Sequence, residues 1–307
     1  MTTFVEGPVR VSVPATSANL GPGYDSLGLA LGLRDVLEAE VVPAGLQVDV
    51  EGQGADEVPR DESHLVVRSM RAAFELMGTQ PPGLRLSCRN AVPHARGLGS
   101  SSAAIVGGIV LARALVAGGS LLLDDESALR LAADLEGHPD NVAPALLGGF
   151  VISGHDDEGA TAGEWWAVPS SADPRVGAVV FVPGQGVETK VARGLLPAEV
   201  PHAEAAADAG RTALLVAALA GQPEHLFRAT RDYLHQSYRR PAMPDSLALV
   251  DQLRADGVAA VVSGAGPTVL AFCDASDAAG LLARCPAGWQ AHHLTLDPVG
   301  ARVERDG

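Results

Sequence analysis

A loop rich in glycine and serine runs directly into a stretch of small residues, and this pairing constrains the fold more than any other feature. Residues 93–103 read PHARGLGSSSA, and residues 104–115 continue as AIVGGIVLARAL. Gly97 and Gly99 allow backbone conformations and close approaches that other residues resist. Three serines then stand where a helix would begin. The pattern predicts a tight loop at the start of a helix that packs closely against another element.

This predicted helix start is suited to binding an anion. Its free N–H groups and the positive end of the helix dipole attract negative charge, and a serine hydroxyl there can reach Mg²⁺ held between phosphates. A flexible turn with a good N-cap is the alternative, and it would be favoured if the loop stood alone. Two dense polar segments, SANLGPGYD at residues 17–25 and HPDN at residues 138–141, favour the anion site.

The charge composition limits how the chain can handle phosphate. Lys190 is its one lysine, the other 21 of its 22 basic residues are arginines, and the net charge is −15. A P-loop needs a lysine after its second glycine, and Lys190 lies in VETKVA, so a P-loop is excluded. Phosphate must instead be bound by backbone amides, arginines and a metal. Nucleic acid is also an unsuitable partner for so acidic a chain, because the affinity of a protein for nucleic acid comes mostly from neutralising the phosphates.

Cysteine spacing and hydropathy indicate the cell compartment of this chain. Cys88, Cys273 and Cys285 are widely spaced and form no C-x-x-C motif, which predicts free thiols in a reducing cytoplasm. The first 15 residues have no apolar stretch typical of a signal peptide. The longest apolar run, at residues 103–111, is too short to span a bilayer. We therefore expect a cytoplasmic protein without a membrane partner.

Apolar periodicity predicts the order of helices and strands. Strands are expected near residues 9–13, 36–42, 46–50, 84–88, 146–153, 176–182, 258–262, 269–272 and 289–294. Helices are expected over residues 66–77 (capped by Asp61 or Ser63), 125–136, 204–220, 224–236, 244–255 and 276–284. Alternating strands and helices with short turns indicate a two-layer α+β sandwich. A Gly-, Asp- and Glu-rich stretch at residues 155–163 predicts a loop, with a domain boundary shortly after it.

The loop at residues 93–103 resembles the phosphate-binding loop of the GHMP kinase superfamily. The similarity runs from residue 11 to about residue 294. It includes VPATSANLGPGYDSLGLAL at 13–31, EGHPDNVAPALLGG at 136–149, TKVARGLLP at 189–197 and SGAGPTVLAF at 263–272. Because SANLGPGYD occurs together with HPDNVAP, the chain resembles the homoserine kinases within that superfamily. The resemblance implies a homodimer of two-domain chains: a ribosomal-protein-S5-like α/β domain over residues 1–165 and a ferredoxin-like α/β sandwich over residues 166–307.

The same resemblance implies an activity and its cofactors. It is the ATP-dependent phosphorylation of the side-chain hydroxyl of L-homoserine to O-phospho-L-homoserine, a step in threonine biosynthesis. Ser101 and Glu136 would hold Mg²⁺. The implied nucleotide contacts are Pro93, His94, Ala95, Arg96, Gly97, Leu98, Gly99, Ser100, Ser101, Ser102, Ala103 and Gly264. His64 stands where homoserine kinases often carry an asparagine near the adenine.

The resemblance also implies how the amino acid is bound. Asn19 and Asp25 would contact it, with the Asp25 carboxylate suited to an ammonium group; from residue types alone, an Asx-turn would be favoured for this pair. Arg193 and Arg239 would bind the substrate carboxylate, because a planar guanidinium gives two parallel bonds. Arg240 is the alternative to Arg239. His138 and Thr189 would be secondary contacts.

The catalytic group is less determined than the binding groups. Asn141 stands where many GHMP kinases place a base aspartate, and an amide can orient a hydroxyl but cannot accept its proton. Because phosphoryl transfer through a loose transition state depends mostly on positioning and charge neutralisation, Asn141 is expected to position the hydroxyl, with Ser101 and Glu136 acting through the metal. Asp140 as a base is the competing hypothesis.

Two other functions remain as alternatives. Another GHMP kinase, acting on an alcohol such as mevalonate or an isoprenoid precursor, would have substrates without an ammonium group and so would give no reason for Asp25. A catalytically inactive ligand sensor on the same fold is disfavoured, because Glu136 and the loop serines are present.

Overall fold

The first sheet carries the amino-terminal half of the chain and one late strand. A computed structural model describes residues 3–159 and 163–304. The strands of this sheet are β1 (Val9–Asn19), β2 (Gly23–Val41), β3 (Gly45–Gly52), β4 (Gly83–Asn90), β5 (Phe150–His155), β6 (Trp165–Ser170) and β11 (Arg302–Glu304). Its main order is β11-β1-β2-β4-β3, and β5 pairs with β2 and β6. Only the β3–β4 pair among these described strands is parallel.

Helices cover one face of this sheet. They are α1 (Leu65–Leu76), α2 (Ser100–Leu115), α3 (Gly119–Leu122), α4 (Asp125–Glu136) and α5 (Pro139–Leu147). Helix α2 packs in the centre, and its small residues explain how. A Cβ at Gly107 would overlap the Leu37 side chain, and one at Gly108 would lie 2.6 Å from the backbone oxygen of Val66. The close approach predicted for this helix is therefore confirmed, and it fixes where α2 begins.

The second sheet is antiparallel and has helices of its own. Its strands are β7 (Gly177–Val182), β8 (Ala260–Val262), β9 (Val269–Cys273) and β10 (Gln290–Thr295), in the order β10-β7-β9-β8. The helices are α6 (Thr189–Gly194), α7 (His202–Gly221), α8 (Leu226–Ala229), α9 (Pro244–Ala255) and α10 (Ala278–Leu282). No helix within residues 3–159 and 163–304 is long and apolar enough to cross a membrane.

The two sheets share part of their core. Successive side chains of a strand point to opposite faces, and β7 is buried along its whole length. Val180 packs in one cluster with Leu215 of α7 and with Leu29 and Phe150 of the first sheet. Phe181, on the other face, packs with residues of α9 and α10. The chain is thus an α+β protein of two layered sheets, as predicted, and the site lies where they meet.

Two predicted elements differ from the structure. The helix expected over residues 224–236 is wrong beyond Ala229, because only a 3-10 turn (Pro223–His225) and α8 are helical there. The Asp232 carboxylate accepts hydrogen bonds from the backbone N–H groups of residues 234–236, which gives this stretch a compact turn instead of a helix. The strand expected over residues 146–153 begins only at Phe150, because α5 occupies residues 139–147. Pro139 begins that helix, and glycines at 148 and 149 follow it.

The sheets divide the chain later than the boundary expected between residues 165 and 166. That boundary falls at the first residue of β6, and β6 pairs with β5 of the first sheet. The change of sheet therefore comes between β6 and β7. Strand β11 then returns to the first sheet and pairs with β1 through Arg10, Val11 and Ser12.

Candidate active site

The glycine–serine loop lies in a cleft between the two sheets. Gly97 and Gly99 both have positive φ, 77° and 70°. A Cβ at Gly97 would lie 2.8 Å from the backbone oxygen of Gly266, and one at Gly99 would overlap the Thr16 hydroxyl. Helix α2 starts at Ser100 with no side chain capping it, so its first N–H groups lack helical partners. This is the uncapped, positively polarised helix start that the sequence predicts.

The segment at residues 263–268 packs directly against this loop. The Ser263 hydroxyl donates to the backbone oxygen of Gly97 (2.6 Å), and the N–H of Thr268 donates to the backbone oxygen of Arg96 (3.2 Å). The N–H of Gly264 donates to the backbone oxygen of Ala18 in β1 (3.0 Å). Hydrogen bonds from both sheets therefore fix the shape of the loop.

Several loop residues predicted to bind nucleotide have contacts within the protein, and their role in binding stays a prediction. The Arg96 guanidinium donates to the backbone oxygens of Pro183 and Gly184, at 3.1 and 2.6 Å. Pro93, Leu98 and Ala103 are buried, and His94 faces outward and approaches Glu57. The loop residues that line the cleft are Ala95, Gly97, Gly99, Ser100, Ser101 and Ser102.

Glu136 is the last residue of α4, and its carboxylate faces the start of α2. Its Oε1 accepts hydrogen bonds from the hydroxyls of Ser101 (2.6 Å) and Ser102 (2.9 Å). Gly137 follows in the left-handed conformation (φ 87°) and ends the helix. One carboxylate and two hydroxyls form an oxygen-only donor set of the kind that Mg²⁺ prefers. Among the described residues, no group of three or more His, Cys, Asp or Glu side chains could hold a metal ion.

The start of α5 adds three polar residues to the cleft. His138 Nδ1 lies 2.6 Å from Oδ1 of Asp140, which is 2% exposed. Burial alone lowers the pKa of His138, but the hydrogen bond and charge of Asp140 outweigh it and raise that pKa. The side-chain oxygen of Asn141 accepts a hydrogen bond from the Thr16 hydroxyl (2.8 Å). With its oxygen bonded to Thr16, the Asn141 amide has its NH₂ group on the other side of this contact.

Asp25 and Arg193, predicted for opposite ends of a substrate, contact each other. The guanidinium donates to both carboxylate oxygens, at 3.0 and 2.7 Å, and also to the Tyr24 hydroxyl at 2.9 Å. Both side chains of the ion pair are about one-third exposed. Arg193 lines the cleft and Asp25 does not, so Asp25 lies behind Arg193.

Arg239 is a buried cation without a carboxylate partner. Its side chain is 1% exposed, and within residues 3–159 and 163–304 it makes no ion pair. It donates to the backbone oxygen of Gly264 (2.9 Å) and contacts Nδ1 of His235 (3.2 Å). Burial lowers its pKa. Arg240, the alternative, is exposed and pairs with Asp251. The structure therefore favours Arg239 as the cationic group of the cleft.

Asn19 has both ends of its amide bonded to backbone. Its Nδ2 donates to the backbone oxygen of Gly264 (2.9 Å), and its Oδ1 accepts from the N–H of Asp25 (3.0 Å). Its φ is 66° and that of Asp25 is 53°. Asn19 lines the cleft, and its hydrogen bonds to residues 25 and 264 join the two walls, so they are not the local contacts of the Asx-turn alternative. Thr189 begins α6 and also lines the cleft.

Sequence reasoning missed two side chains that support the cationic groups. The Tyr24 ring lies 5.6 Å from the guanidinium carbons of both Arg193 and Arg239 and 5.4 Å from the His235 ring. His235 is fully buried, and its Nε2 donates to the backbone oxygen of Gly21 (2.7 Å). Burial lowers its pKa, which favours the neutral ring. Only the long-range fold brings these residues together, since Tyr24 lies at the start of β2 and His235 in the segment between α8 and α9.

A second, more apolar pocket adjoins the cleft at Ser100 and Ser101. Pro59, Val66 and Val92 contribute apolar groups to its lining, with His64 at its edge. His64 is 5% exposed and its Nδ1 has no hydrogen-bond partner among the described residues. An apolar pocket beside an anion site suits a flat aromatic group joined to phosphates.

Comparisons with known proteins find relatives of this chain in both its sequence and its fold. Residues 64–149 match the family model described as the GHMP kinases N terminal domain, and residues 214–291 match GHMP kinases C terminal. A homoserine kinase of Streptomyces avermitilis is 56% identical over 98% of this chain and 97% of the relative. One from Streptomyces coelicolor is 55% identical over 98% and 96%. The crystal structure of homoserine kinase from Cytophaga hutchinsonii, 24% identical, has the same fold, with a TM-score of 0.83 over 98% of this chain and 99% of that one.

Proposed function

The chain belongs to the GHMP kinase family and, within it, to the homoserine kinases, and we propose that the cleft holds ATP and L-homoserine through the residues described above. The reaction transfers the terminal phosphoryl group of ATP to the side-chain hydroxyl of homoserine. Its products are ADP and O-phospho-L-homoserine, consistent with a step in threonine biosynthesis.

The observation that carries the substrate assignment is the arrangement of three charges in one place. Arg239 is a buried cation without a carboxylate partner, and next to it Arg193 is paired with Asp25. A buried unpaired charge is costly unless a ligand neutralises it. A substrate carboxylate between Arg239 and Arg193 would do so through charge-assisted hydrogen bonds.

The position of Asp25 behind Arg193 suggests how an α-amino acid is distinguished from a simple acid. A carboxylate that draws Arg193 toward Arg239 weakens the Asp25–Arg193 pair and leaves Asp25 without its cation. An ammonium group on the neighbouring carbon of the same substrate replaces that cation. An acid without an amine leaves a partly buried carboxylate unpaired. Selectivity then comes partly from this penalty on the wrong ligand, and mevalonate-type acids are disfavoured.

The nucleotide assignment rests on the uncapped start of α2 and the pocket beside it. The free N–H groups of residues 100–102 and the dipole of a 16-residue helix favour phosphate oxygens. The adjoining pocket with Val66, Val92 and His64 suits the adenine ring. Arg96 contributes by holding the loop in shape through Pro183 and Gly184.

The metal assignment fits the donor set at Glu136. The Glu136 carboxylate and the Ser101 hydroxyl would hold Mg²⁺, with Ser102 close to the same oxygen. A magnesium ion bound there would neutralise charge on the phosphates during transfer. Among the described residues that line the cleft, the one other carboxylate is Asp140, which is bound to His138. We therefore assign Mg²⁺ to Ser101 and Glu136.

Asn141 is proposed to position the acceptor hydroxyl. Because Thr16 donates to its oxygen, the NH₂ group of Asn141 is available to donate to the substrate hydroxyl oxygen. Asp140 is bound to His138 at 2.6 Å, and the raised pKa of His138 favours its cationic form beside that carboxylate. A carboxylate paired with an imidazolium is a poor base. The hydroxyl proton would then leave on a phosphate oxygen or to water.

The function is tested by substrates that differ in one charge. ADP release is measured with Mg-ATP and homoserine, 4-hydroxybutyrate (no ammonium) or 3-amino-1-propanol (no carboxylate), and with mevalonate, shikimate and galactose. We expect homoserine to have the highest kcat/KM, with both analogues reduced at least a hundredfold, about 2.7 kcal/mol. Turnover of mevalonate but not homoserine would overturn the assignment.

Substituting Asn141 and Asp140 one at a time tests whether Asn141 positions the acceptor hydroxyl. Asn141→Ala is expected to lower kcat about a hundredfold, because the substrate hydroxyl is no longer oriented. Loss of one well-placed hydrogen-bond donor typically has an effect of this size. Asp140→Asn is expected to lower kcat less than tenfold. Single-turnover rates and melting temperatures of the two variants are compared. An Asp140→Asn variant that is folded but inactive would identify Asp140 as the base.

His235 offers a separate test of how Arg239 is positioned. His235→Ala is expected to raise the KM for homoserine about tenfold and leave the KM for ATP unchanged, because a hydrogen bond to a charged group contributes roughly 1.5–3 kcal/mol. His225→Ala, ten residues earlier in the chain, is the matched control. Equal changes in both KM values would mean that His235 only stabilises the fold.

The homodimer and the cytoplasmic location stay predictions. The free thiols of Cys88, Cys273 and Cys285 support a reducing compartment. Light scattering of the purified chain would establish the oligomeric state.

A further inference from the structure

Four arginines surround a cavity on the outside of the second sheet's helices. Arg211 comes from α7, Arg228 from α8, Arg231 from the turn after it and Arg254 from α9, and Phe227 completes the lining. We call these four residues the arginine cluster. Its cavity shares no lining residue with the active-site cleft.

The arginine cluster has no carboxylate of its own. Within residues 3–159 and 163–304, none of its four guanidinium groups forms an ion pair, although other arginines of the chain do. Carboxylates close to the cluster in sequence bind other groups: Asp251 pairs with Arg240 and Asp256 with Arg284. Asp232 accepts from the backbone N–H groups of residues 234–236, and Asp208 accepts from the N–H of Tyr233. The chain carries a net charge of −15, so four neighbouring arginines without an ion pair among the described residues are unusual for its composition.

Arg254 forms the fixed floor of the cavity. Its guanidinium donates to the Thr230 hydroxyl (2.9 Å) and to the backbone oxygen of Phe227 (2.8 Å). It also lies 4.8 Å from the centre of the Phe227 ring. Burial lowers its pKa, and the nearby charge of Arg231 lowers it further. Arg254 is thus held in place beside a like charge, which is unfavourable until an anion occupies the cavity.

The other three arginines are free to close on a ligand. Arg228 and Arg231 are exposed and Arg211 is half-buried, and Arg231 rests against the Tyr233 ring at 5.2 Å. Planar guanidinium forks match the oxygens of phosphate, and several of them together neutralise more than one charge. We propose that the arginine cluster is a binding site for a small phosphate-bearing anion with at least two negative charges.

Inorganic pyrophosphate is the probe, titrated by calorimetry into the full chain. The double variant Arg228→Gln/Arg231→Gln removes two exposed arginines of the cluster, and Arg71→Gln/Arg85→Gln, which removes two ion-paired arginines elsewhere, is the matched control. We expect the wild type and the control to bind one pyrophosphate more than the cluster variant does, or to bind it at least tenfold more tightly. The kcat and both KM values of the cluster variant should equal those of the wild type in the absence of pyrophosphate.

Three results would overturn the proposal. The first is equal pyrophosphate binding by the cluster variant and the wild type. The second is binding of citrate as tight as that of pyrophosphate at the same site, which would indicate charge attraction without phosphate recognition. The third is self-association of the wild type that sedimentation detects and that the cluster variant loses, while pyrophosphate gives no heat of binding. That result would make the cluster an interface between copies of the chain. Because residues 228 and 231 are exposed, Arg228→Gln alone repeats the test should the double variant fold poorly.

Discussion

Glu136→Gln is expected to lower kcat about a thousandfold and to raise the Mg²⁺ concentration needed for half-maximal activity. The substitution keeps the size of the side chain and can keep hydrogen bonds with Ser101 and Ser102, but it removes the negative charge proposed to hold the metal. Loss of one well-placed electrostatic group typically costs about 10²–10³ in kcat, and a weakened metal site adds to this loss. The measurements are kcat against Mg²⁺ concentration and, independently of turnover, the Mg²⁺ dependence of ATP affinity.

Asp134→Asn is the matched control for this prediction. Asp134 lies on the same helix two residues earlier, and its carboxylate accepts only from the Trp165 indole in the described contacts. It should leave kcat and the Mg²⁺ dependence unchanged. If Glu136→Gln has wild-type turnover at the same Mg²⁺ concentration, Glu136 is not a metal ligand, and the serines would act only as part of the helix start.

Arg239→Ala is expected to raise the KM for homoserine about a hundredfold while the KM for ATP changes less than threefold. Truncating one partner of a buried, hydrogen-bonded charge pair costs roughly 2–5 kcal/mol, and a hundredfold change corresponds to about 2.7 kcal/mol. The substrate carboxylate is the only partner that Arg239 would pair with in this cleft. Initial rates over both substrate concentrations measure the two constants.

Arg240→Ala separates the two neighbouring arginines. Arg240 is exposed and pairs with Asp251, so its removal should leave both KM values within a factor of two of the wild type. Arg193→Ala should behave like Arg239→Ala, with a larger effect, because Asp25 also loses its partner. A parallel rise of the KM for ATP in Arg239→Ala would contradict the assignment of Arg239 to the amino acid.

Part of the site could be predicted from sequence because its residues are neighbours in the chain. The residues at 97–102 that line the cleft are neighbours in the chain, and both their glycines and the helix start follow from local backbone chemistry. Glu136 could be placed because it ends a strongly periodic helix at Gly137. The close packing of α2 could also be predicted, because the helix is rich in small residues. In the structure, Gly107 contacts β2 and Gly108 contacts α1.

Contacts between distant segments could not be predicted in the same way. Asp25 and Arg193 are 168 residues apart, and neither periodicity nor a motif indicates that they pair. His235 lies in a stretch whose apolar spacing favours a helix, but the Asp232 carboxylate binds the backbone there and places the imidazole under Gly21. Asn19 was assigned to the substrate, yet its amide joins β1 to Gly264. These roles depend on how the two sheets meet.

Strand β11 bears on how the first sheet is completed during folding. β1 ends at Asn19 in the cleft, and at its other end residues 10–12 pair with β11, which lies far away in sequence at residues 302–304. Arg34 adds to this closure by binding Asp297 and the backbone oxygens of Ser12 and Gly300. Pairing between such distant residues is slow to form. β1 therefore keeps an open edge until residues 302–304 fold back onto it, and an open strand edge can pair with another chain.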